Sequence, residues 1–252
     1  MAKVDDCIRI AMWSGPRNIS TAMMRAWENR SDTQVVDEPF YACFLTATGI
    51  VHPMQDEVLA SQSSDWQTVI DTELLKPLSV GATVQYQKHM TQHMVAPIDP
   101  EWFASVRHAF LIRHPADVVA SYAEKRGTVC ADDIGFSRQR ELFEMAKQVT
   151  GKAPPVIEST SVLKDPRGSL SALCSALDVE FDTAMLSWPA GRRDSDGAWA
   201  PHWYNKVEAS TGFAPYKPKE HELSAAQQRV VDECLPDYNA MALSVLKLPS
   251  AS

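Results

Sequence analysis

Residues 8–21 read IRIAMWSGPRNIST, and this stretch decides the fold. The run 8–14 is short and almost entirely apolar, which predicts a buried strand. Gly15 and Pro16 then turn the chain. Apolar residues recur at helical spacing over 18–29, so a helix follows the turn. A strand that leads through a tight turn into a helix is typical of an α/β unit.

The same pattern continues along the chain. Four further apolar runs predict strands at 34–39, 83–89, 108–114 and 154–159. Helices are also predicted around 41–60, 65–77 and 136–149. Pro115 predicts a helix start after the fourth strand, and Asp165 with Pro166 predicts another, since proline is tolerated in a first turn. The capping pair Ser224 and Gln227 predicts the start of a C-terminal helix. Pro236 is expected to interrupt or kink the last helix.

Strands that alternate with helices imply parallel strands joined by right-handed crossovers. The predicted fold class is therefore α/β, with three α/β/α layers around a central, mostly parallel sheet. In such sheets ligands bind beyond the carboxyl ends of the strands. The residues that directly follow each strand are therefore the candidates for function.

Composition narrows the function classes. The 252 residues include 24 basic and 32 acidic side chains, for a formal net charge of −8. That balance argues against nucleic-acid and anionic membrane partners, so an anionic ligand must be held by local positive charge. The sequence has no apolar run long enough to span a membrane and no secretory signal at its start. Five scattered cysteines without a CxxC pair predict reduced thiols in the cytoplasm.

The first turn predicts an anion site. Backbone N–H groups at the start of the helix lack helical partners, and the helix dipole adds partial positive charge. Arg17 adds a fixed cation, and Ser20 and Thr21 add hydroxyl donors. The alternative is a tight turn with a solvated arginine. A divergent kinase is a further alternative. It is the weakest one, because the triphosphate-binding pattern GxxxxGK(S/T) is not present.

A second candidate anion site follows the fourth strand. Residues 108–122 read HAFLIRHPADVVASY, with Arg113 at the end of the strand and Ser121 within the next helix. An arginine can hold two phosphate oxygens, and a serine hydroxyl can donate a further bond. The alternative is that Arg113 only pairs with Asp117 at the helix start.

These segments resemble the nucleotide-binding elements of the sulfotransferase family. Residues 16–21, PRNIST, resemble its 5′-phosphosulfate loop, Pro-Lys-(Ser/Ala)-Gly-Thr-Thr, with Arg17 in place of lysine and Ile19 in place of glycine. Residues 108–122 resemble its 3′-phosphate element, a strand followed by Arg-Asn-Pro-x-Asp-x-x-x-Ser. Residues 192–199, RRDSDGAW, resemble its late loop, Arg-Lys-Gly-x-x-Gly-x-Trp, with Asp194 at the first glycine. The resemblance extends from about residue 8 to 245.

The resemblance implies a P-loop nucleotide-hydrolase-like fold and 3′-phosphoadenosine 5′-phosphosulfate as sulfuryl donor, with adenosine 3′,5′-bisphosphate as product. It implies that the donor is bound by Gly15, Arg17, Asn18, Ile19, Ser20, Thr21, Arg113, Ser121, Arg192, Arg193 and Gly197. A sulfuryl group carries less negative charge than a terminal phosphoryl group, and the sequence has no metal-ligand spacing. We therefore expect no metal.

Sulfuryl transfer needs a base for the acceptor and stabilisation of the leaving phosphate. Arg17 is the candidate for the leaving phosphate. His89 resembles the histidine of the family's Lys-Thr-His-Leu-Pro motif and is preferred as the base, because its ordinary pKa needs less tuning. Glu38 is the alternative, since some branches of the family use a glutamate near this position; His93 is a weaker candidate. Without a catalytic role, His89 would be a satisfied histidine or a substrate contact, and Glu38 would be a partner for Arg17.

The acceptor cannot be identified from the pattern beyond a small molecule with a hydroxyl or amine. We expect one domain over 1–252, with 41–82 and 190–216 as insertions that form the acceptor site or a lid, in a monomer or homodimer. Ile19, Ala22 and Asp194 depart from the family pattern. A regulatory protein of the same fold that binds the nucleotide without turnover is therefore a second hypothesis.

Overall fold

Five parallel strands form one sheet. The structure, a computed structural model, describes residues 7–95 and 100–248, so the first six residues, on which the expectation of no secretory signal partly depends, lie outside it. The strands are β1 (Ile8–Ser14), β2 (Thr33–Asp37), β3 (Val84–Met90), β4 (Arg107–Ile112) and β5 (Val156–Glu158). Their order across the sheet is β2-β3-β1-β4-β5, and every pair is parallel. The five predicted strands are confirmed, with small differences at their ends.

Helices connect the strands and follow the last one. Between β1 and β3 lie α1 (Ser20–Glu28), α2 (Tyr41–Thr48), α3 (Gln55–Ser61) and α4 (Trp66–Val69), which continues as a π-helical turn (Ile70–Leu74). A 3₁₀ turn (Thr91–His93) and α5 (Pro100–Ala104) precede β4, and α6 (Pro115–Arg126), α7 (Ala131–Ile134) and α8 (Phe136–Thr150) precede β5. After β5 come α9 (Ser159–Lys164), α10 (Pro166–Ala176), a 3₁₀ turn (Thr183–Leu186), α11 (Ala200–Trp203), α12 (Asn205–Glu208) and α13 (Ala225–Ala242).

The sheet separates two apolar cores. Side chains alternate along a strand, so neighbours on β1 point to opposite faces. Met12 packs in the core that includes Trp27 of α1. Trp13 packs in the other core, with Phe143 of α8 and Met241 of α13. Apolar burial on both faces is what a fully covered parallel sheet requires, and it confirms the predicted three-layer α/β/α architecture.

Local signals set the helix ends as predicted. Pro115 occupies the first turn of α6, and the Asp165 side chain caps α10 by accepting a bond from the amide of Gly168 at 2.9 Å. Ser224 and Gln227 form a capping box at the start of α13. The predicted helical stretch 41–60 is divided because Gly49 ends α2 in a left-handed conformation, with φ of 66°.

The sequence predicts that Pro236 interrupts or kinks the last helix, and of these two outcomes the structure excludes the interruption. The helix α13 continues from Ala225 to Ala242 with Pro236 inside it. A proline leaves the carbonyl four residues earlier without its helical partner. Pro236 and Asp232, whose carbonyl is affected, are both solvent-exposed. Water can therefore bond that carbonyl, and the helix continues.

Candidate active site

A cleft of about 1580 Å³ opens where the strands end. Its walls include residues that directly follow β1, β2 and β4, namely Arg17, Glu38 and Arg113, together with Lys88 at the end of β3. The site therefore lies at the carboxyl edge of the sheet, where parallel α/β folds bind ligands. Its volume exceeds the range of about 300–1,000 Å³ that is common for a pocket holding one ligand.

The turn after β1 is held in an unusual backbone conformation. Gly15 lies so close to α7 that an added Cβ would come within 2.7 Å of the carbonyl oxygen of Ile134. Arg17 and Ile19 have positive φ angles of 61° and 41°. A left-handed conformation is costly for a β-branched residue, and Ile19 stands where the family pattern has glycine. Ile19 offers no side-chain cap, so the first-turn N–H groups of α1 receive no side-chain acceptor.

The two anion segments predicted from the sequence meet in this cleft. The Nε of Arg17 donates to the Oγ of Ser121 at 3.0 Å, and an Nη of Arg113 donates to the carbonyl oxygen of Arg17 at 2.7 Å. Burial, followed by the charge of Arg113, lowers the pKa of Arg17. Two neighbouring cations in a partly buried wall favour an anionic ligand between them. The alternative ion pair is also present, since Asp117 lies 3.6 Å from the Nε of Arg113.

The other predicted residues of the first loop either line the cleft or hold the turn in place. Ser20 and Thr21 line the cleft together with Asn18 and Ile19. The side-chain amide of Asn18 donates to the carbonyl oxygen of Leu111 at 2.7 Å, which fastens the turn to the end of β4. Gly15 contributes by packing, as its approach to α7 indicates.

Only one residue of the late loop that resembles the 3′-phosphate flap, Trp199, lines the cleft. The predicted donor-binding residues Arg192, Arg193 and Gly197 are not among the lining residues, and Arg192 is exposed. The loop is anchored by Asp196, whose carboxylate lies 2.6 Å from the buried guanidinium of Arg25 on α1. This ion pair joins positions far apart in the chain, and the sequence pattern did not indicate it. The structure therefore does not bring the two cations of the third predicted segment into the cleft with the other two segments.

His89 also lies away from the cleft, contrary to its predicted role as the base. Only 1% of the residue is exposed, and its ring stacks on Trp13 at a centroid distance of 4.4 Å. Its Nε2 bonds to the side-chain oxygen of Gln87 at 3.1 Å, and burial lowers the pKa of His89 to about 3. Neighbouring side chains of a strand face opposite sides, so it is Lys88 that points toward Glu38. His89 is the satisfied buried histidine of the alternative interpretation.

Glu38 is a carboxylate that lines the cleft at the end of β2. It directly follows β2, has a positive φ of 42°, and accepts a short hydrogen bond on Oε1 from the Nζ of Lys88. The side chain of Gln62 donates to the backbone carbonyl of Glu38 at 3.1 Å and fixes this unusual conformation. Burial raises the pKa of the Glu38 carboxyl, and the charge of Lys88 offsets part of that rise. A glutamate with a raised pKa is suited to accept a proton near neutral pH.

A buried polar cluster supports Glu38 from behind. The Nζ of Lys88 also donates to Asp37 at 2.9 Å and to the hydroxyl of Tyr204 at 2.8 Å, and the Tyr204 hydroxyl donates to Asp37. Burial would lower the pKa of Lys88, but the charges of Asp37 and Glu38 outweigh it and raise the pKa. The backbone N–H of Gly197 also donates to Asp37, at 3.1 Å. Asp37 was not singled out in the sequence; the signal that could have pointed to it is its position at the end of β2, directly before Glu38.

Aromatic rings line the cleft beside Glu38. The ring of His93 lies between Tyr41 and Phe44, with centroid distances of 4.5 and 5.0 Å. The hydroxyl of Tyr41 bonds to the Nδ1 of His52 at 2.9 Å. Trp203 lines the same wall. The two predicted insertions, 41–82 and 190–216, therefore both contribute side chains to this half of the cleft.

Two negative findings concern the described residues alone. Within 7–95 and 100–248, no three or more His, Cys, Asp and Glu side chains are grouped in a way that can hold a metal ion. Over the same ranges, no helix combines the length and the apolarity needed to cross a membrane.

Comparisons with known proteins show the family to which the chain belongs. A family model described as "Sulfotransferase domain" matches residues 8–244. Branched-chain-amino-acid aminotransferase-like proteins 1 and 2 of Arabidopsis thaliana are 33% and 31% identical over 232 residues, or 92% of this chain. The chain spans 41% of the length of each of these relatives.

Among solved structures, a sulfotransferase from Alicyclobacillus acidocaldarius aligns with a TM-score of 0.54 and 11% identity, covering 96% of this chain and 97% of that one. At that identity the likeness concerns the fold, and it confirms the predicted P-loop-like architecture.

Proposed function

The chain belongs to the sulfotransferase domain family, and on that basis we propose that it transfers a sulfuryl group from 3′-phosphoadenosine 5′-phosphosulfate to a hydroxyl or amine of a small-molecule acceptor. The observation that carries the proposal is the junction of Arg17, Arg113 and Ser121 beside the uncapped start of α1. The proposal concerns this chain alone and not the full length of the curated relatives, of which the chain spans 41%.

The donor fits the charges of this wall. Arg17, with Ser20, Thr21 and the first N–H groups of α1, would hold the 5′-phosphosulfate. Arg113 and Ser121 would hold the 3′-phosphate. An anion at this wall removes the repulsion between the two guanidinium groups, which contributes to the lowered pKa of Arg17. The proposed donor site leaves out Arg192, Arg193 and Gly197, because these three residues do not line the cleft.

Glu38 replaces His89 as the proposed base. Its carboxylate faces the cleft on the side of the aromatic wall, and Lys88 fixes one of its oxygens. The free oxygen would take the acceptor's proton, while Arg17 stabilises the negative charge that develops on the leaving 5′-phosphate. Stretches 41–82 and 190–216 would hold the acceptor, since they supply Tyr41, Phe44, His52 and Trp203.

A turnover assay with the phosphosulfate donor and a panel of hydroxyl and amine acceptors tests this function. We expect sulfated product from at least one acceptor class. Glu38→Gln should lower kcat by roughly 10²–10⁴-fold, the usual contribution of a positioned general base. The control is Glu57→Gln, which changes an exposed carboxylate on α3. Nucleotide binding without turnover on any acceptor would contradict the proposal and favour the regulatory hypothesis.

A further inference from the structure

The two oxygens of the Glu38 carboxylate have different surroundings. Oε1 is held by Lys88, whereas Oε2 lies 3.9 Å from the Nδ1 of His93. His93 is 3% exposed, and its Nδ1 is buried without a hydrogen-bond partner among the described residues. A buried nitrogen without a partner costs about 1–3 kcal/mol, so its retention next to the proposed base calls for a physical explanation.

The protonation state of His93 follows from its environment. Burial, reinforced by the positive potential of His52, Lys88 and His89, holds the pKa of His93 well below its ordinary value. The imidazole is therefore neutral and carries one N–H and one lone pair. A proton on Nδ1 would draw the charged Oε2 into a hydrogen bond. A separation of 3.9 Å fits two acceptors that face each other.

Several titratable and charged groups surround this pair. On the side of Glu38 and His93 they are Lys88 on β3, Asp37 on β2, Tyr41 on α2, His52 between α2 and α3, and Tyr204 before α12. His89 lies nearby on the opposite face of β3. Lys88 and Asp37 compensate each other's charge, and Tyr204 donates to Asp37, so these groups already have partners for their charges and hydrogen bonds.

We propose that His93 is a positioning residue whose Nδ1 accepts a hydrogen bond from the Glu38 carboxyl only after that carboxyl has taken the acceptor's proton. This inference rests on the proposed function, in which Glu38 is the base. The bond is absent in the ground state and forms as the proton arrives. An interaction of this kind lowers the barrier, because it strengthens only along the reaction.

The step balances in atoms and charge. The acceptor oxygen forms a bond to sulfur while the bond between sulfur and the donor's bridging oxygen breaks, and that electron pair leaves with the 5′-phosphate. The acceptor's proton moves to Oε2 of Glu38, which becomes a neutral carboxyl group. Its O–H then donates to the lone pair of His93, which stays unprotonated throughout.

Two substitutions separate this role from packing. His93→Phe keeps a ring between Tyr41 and Phe44 but removes the nitrogen. His93→Asn loses the ring, but its side-chain oxygen is attached where Nδ1 is attached and can accept the same bond. The readouts are kcat, KM and the pH profile of kcat/KM, with a ¹³C-carboxyl titration of Glu38 without substrates. Binding of adenosine 3′,5′-bisphosphate verifies that each variant is folded.

For His93→Phe we expect kcat to fall about 10-fold, the worth of one hydrogen bond of ordinary strength, with KM for the donor unchanged. Loss of the acceptor removes support for protonated Glu38, so its pKa falls and the acid limb of the profile moves to lower pH by about one unit. His93→Asn should recover part of both effects.

Two results would overturn the inference. One is a His93→Phe variant with the kcat and acid limb of the wild type. The other is an equal loss of kcat in both variants with an unmoved limb, which would assign a packing role to His93. If Glu38→Gln instead keeps full turnover, the base assignment itself fails. That outcome is distinguishable, because it does not depend on either His93 variant.

Discussion

Arg17 donates a hydrogen bond to Ser121 across 104 positions of sequence, with the Nε and Oγ atoms 3.0 Å apart. The bond joins the turn after β1 to the middle of α6, and Arg113 reinforces it by bonding to the carbonyl of Arg17. The side chains proposed to bind the donor are thus held in place by bonds within the protein itself. Preorganised donors of this kind add affinity because little freedom is lost on binding.

Ser121→Ala tests this junction. Loss of the hydroxyl removes one donor to the 3′-phosphate and releases Arg17, so the affinity for adenosine 3′,5′-bisphosphate should fall about 10-fold. Stability should hardly change, because Ser121 is only half-buried and alanine is a better helix former. Calorimetry and thermal melting measure the two effects. Ser175→Ala, an exposed change on α10, is the control, and equal affinity in both variants would refute the role of Ser121.

Gly15→Ala and Gly197→Ala form a matched pair. The added Cβ would lie 2.7 Å from the Ile134 carbonyl in the first case and 2.2 Å from the Trp199 ring in the second. Both variants should lose about 1–3 kcal/mol of stability through overpacking. Only Gly15→Ala should also weaken bisphosphate binding in calorimetry, because of the two loops only the one after β1 contains a residue proposed to bind the nucleotide, Arg17. Weaker binding by folded Gly197→Ala would restore the late loop as a phosphate flap.

Lys88→Met tests the buried cluster. The substitution leaves Asp37 and Glu38 buried without their cation, which should cost about 3–5 kcal/mol at neutral pH. Burial raises the pKa of Glu38, and without Lys88 nothing from that cation offsets the rise above the unfolded value. The variant's deficit in stability should therefore grow as pH rises through the folded-state pKa of Glu38 and shrink as pH falls. Urea unfolding at pH 5 and pH 8 measures it, and an equal deficit at both values would contradict the charge argument.

His89→Phe separates packing from catalysis. The substitution keeps a ring against Trp13 and removes the bond to Gln87, so we expect a loss of about 1–2 kcal/mol in stability. Because His89 does not face the cleft and its pKa is lowered to about 3, kcat/KM and its pH profile should stay near wild type. A fully folded variant whose kcat falls a thousandfold would instead support His89 as the base.

Local patterns predicted most of the fold. Apolar runs located the five strands, and Pro115 and Asp165 located helix starts, because these signals act within a few residues. At Pro236 the pattern predicted an interruption or a kink, and the interruption is absent because the affected carbonyl belongs to an exposed residue that water can reach. Spacing and resemblance also predicted that Arg17 and Arg113 lie in one cleft, because the carboxyl ends of parallel strands meet at one edge of the sheet.

The rest of the site depended on distant contacts. Whether Lys88 or His89 faces the cleft is decided by a shift of one residue along β3, and resemblance to a histidine motif does not fix that register. The two cations of the late loop do not line the cleft, and Asp196 of that loop pairs with Arg25, which is 171 positions away in the sequence. The burial of His93 beside Glu38 likewise results from tertiary packing and has no local signature.

The central claim is that Arg17 and Arg113 bind opposite ends of one doubly anionic adenine nucleotide. Calorimetric titration with adenosine 3′,5′-bisphosphate at low salt tests it most directly. We predict one site per chain for the wild type, with Arg17→Ala and Arg113→Ala each weakening binding by at least roughly tenfold, because each removes a charge-assisted contact. No binding at millimolar nucleotide, or arginine variants that bind as tightly as the wild type, would contradict the claim.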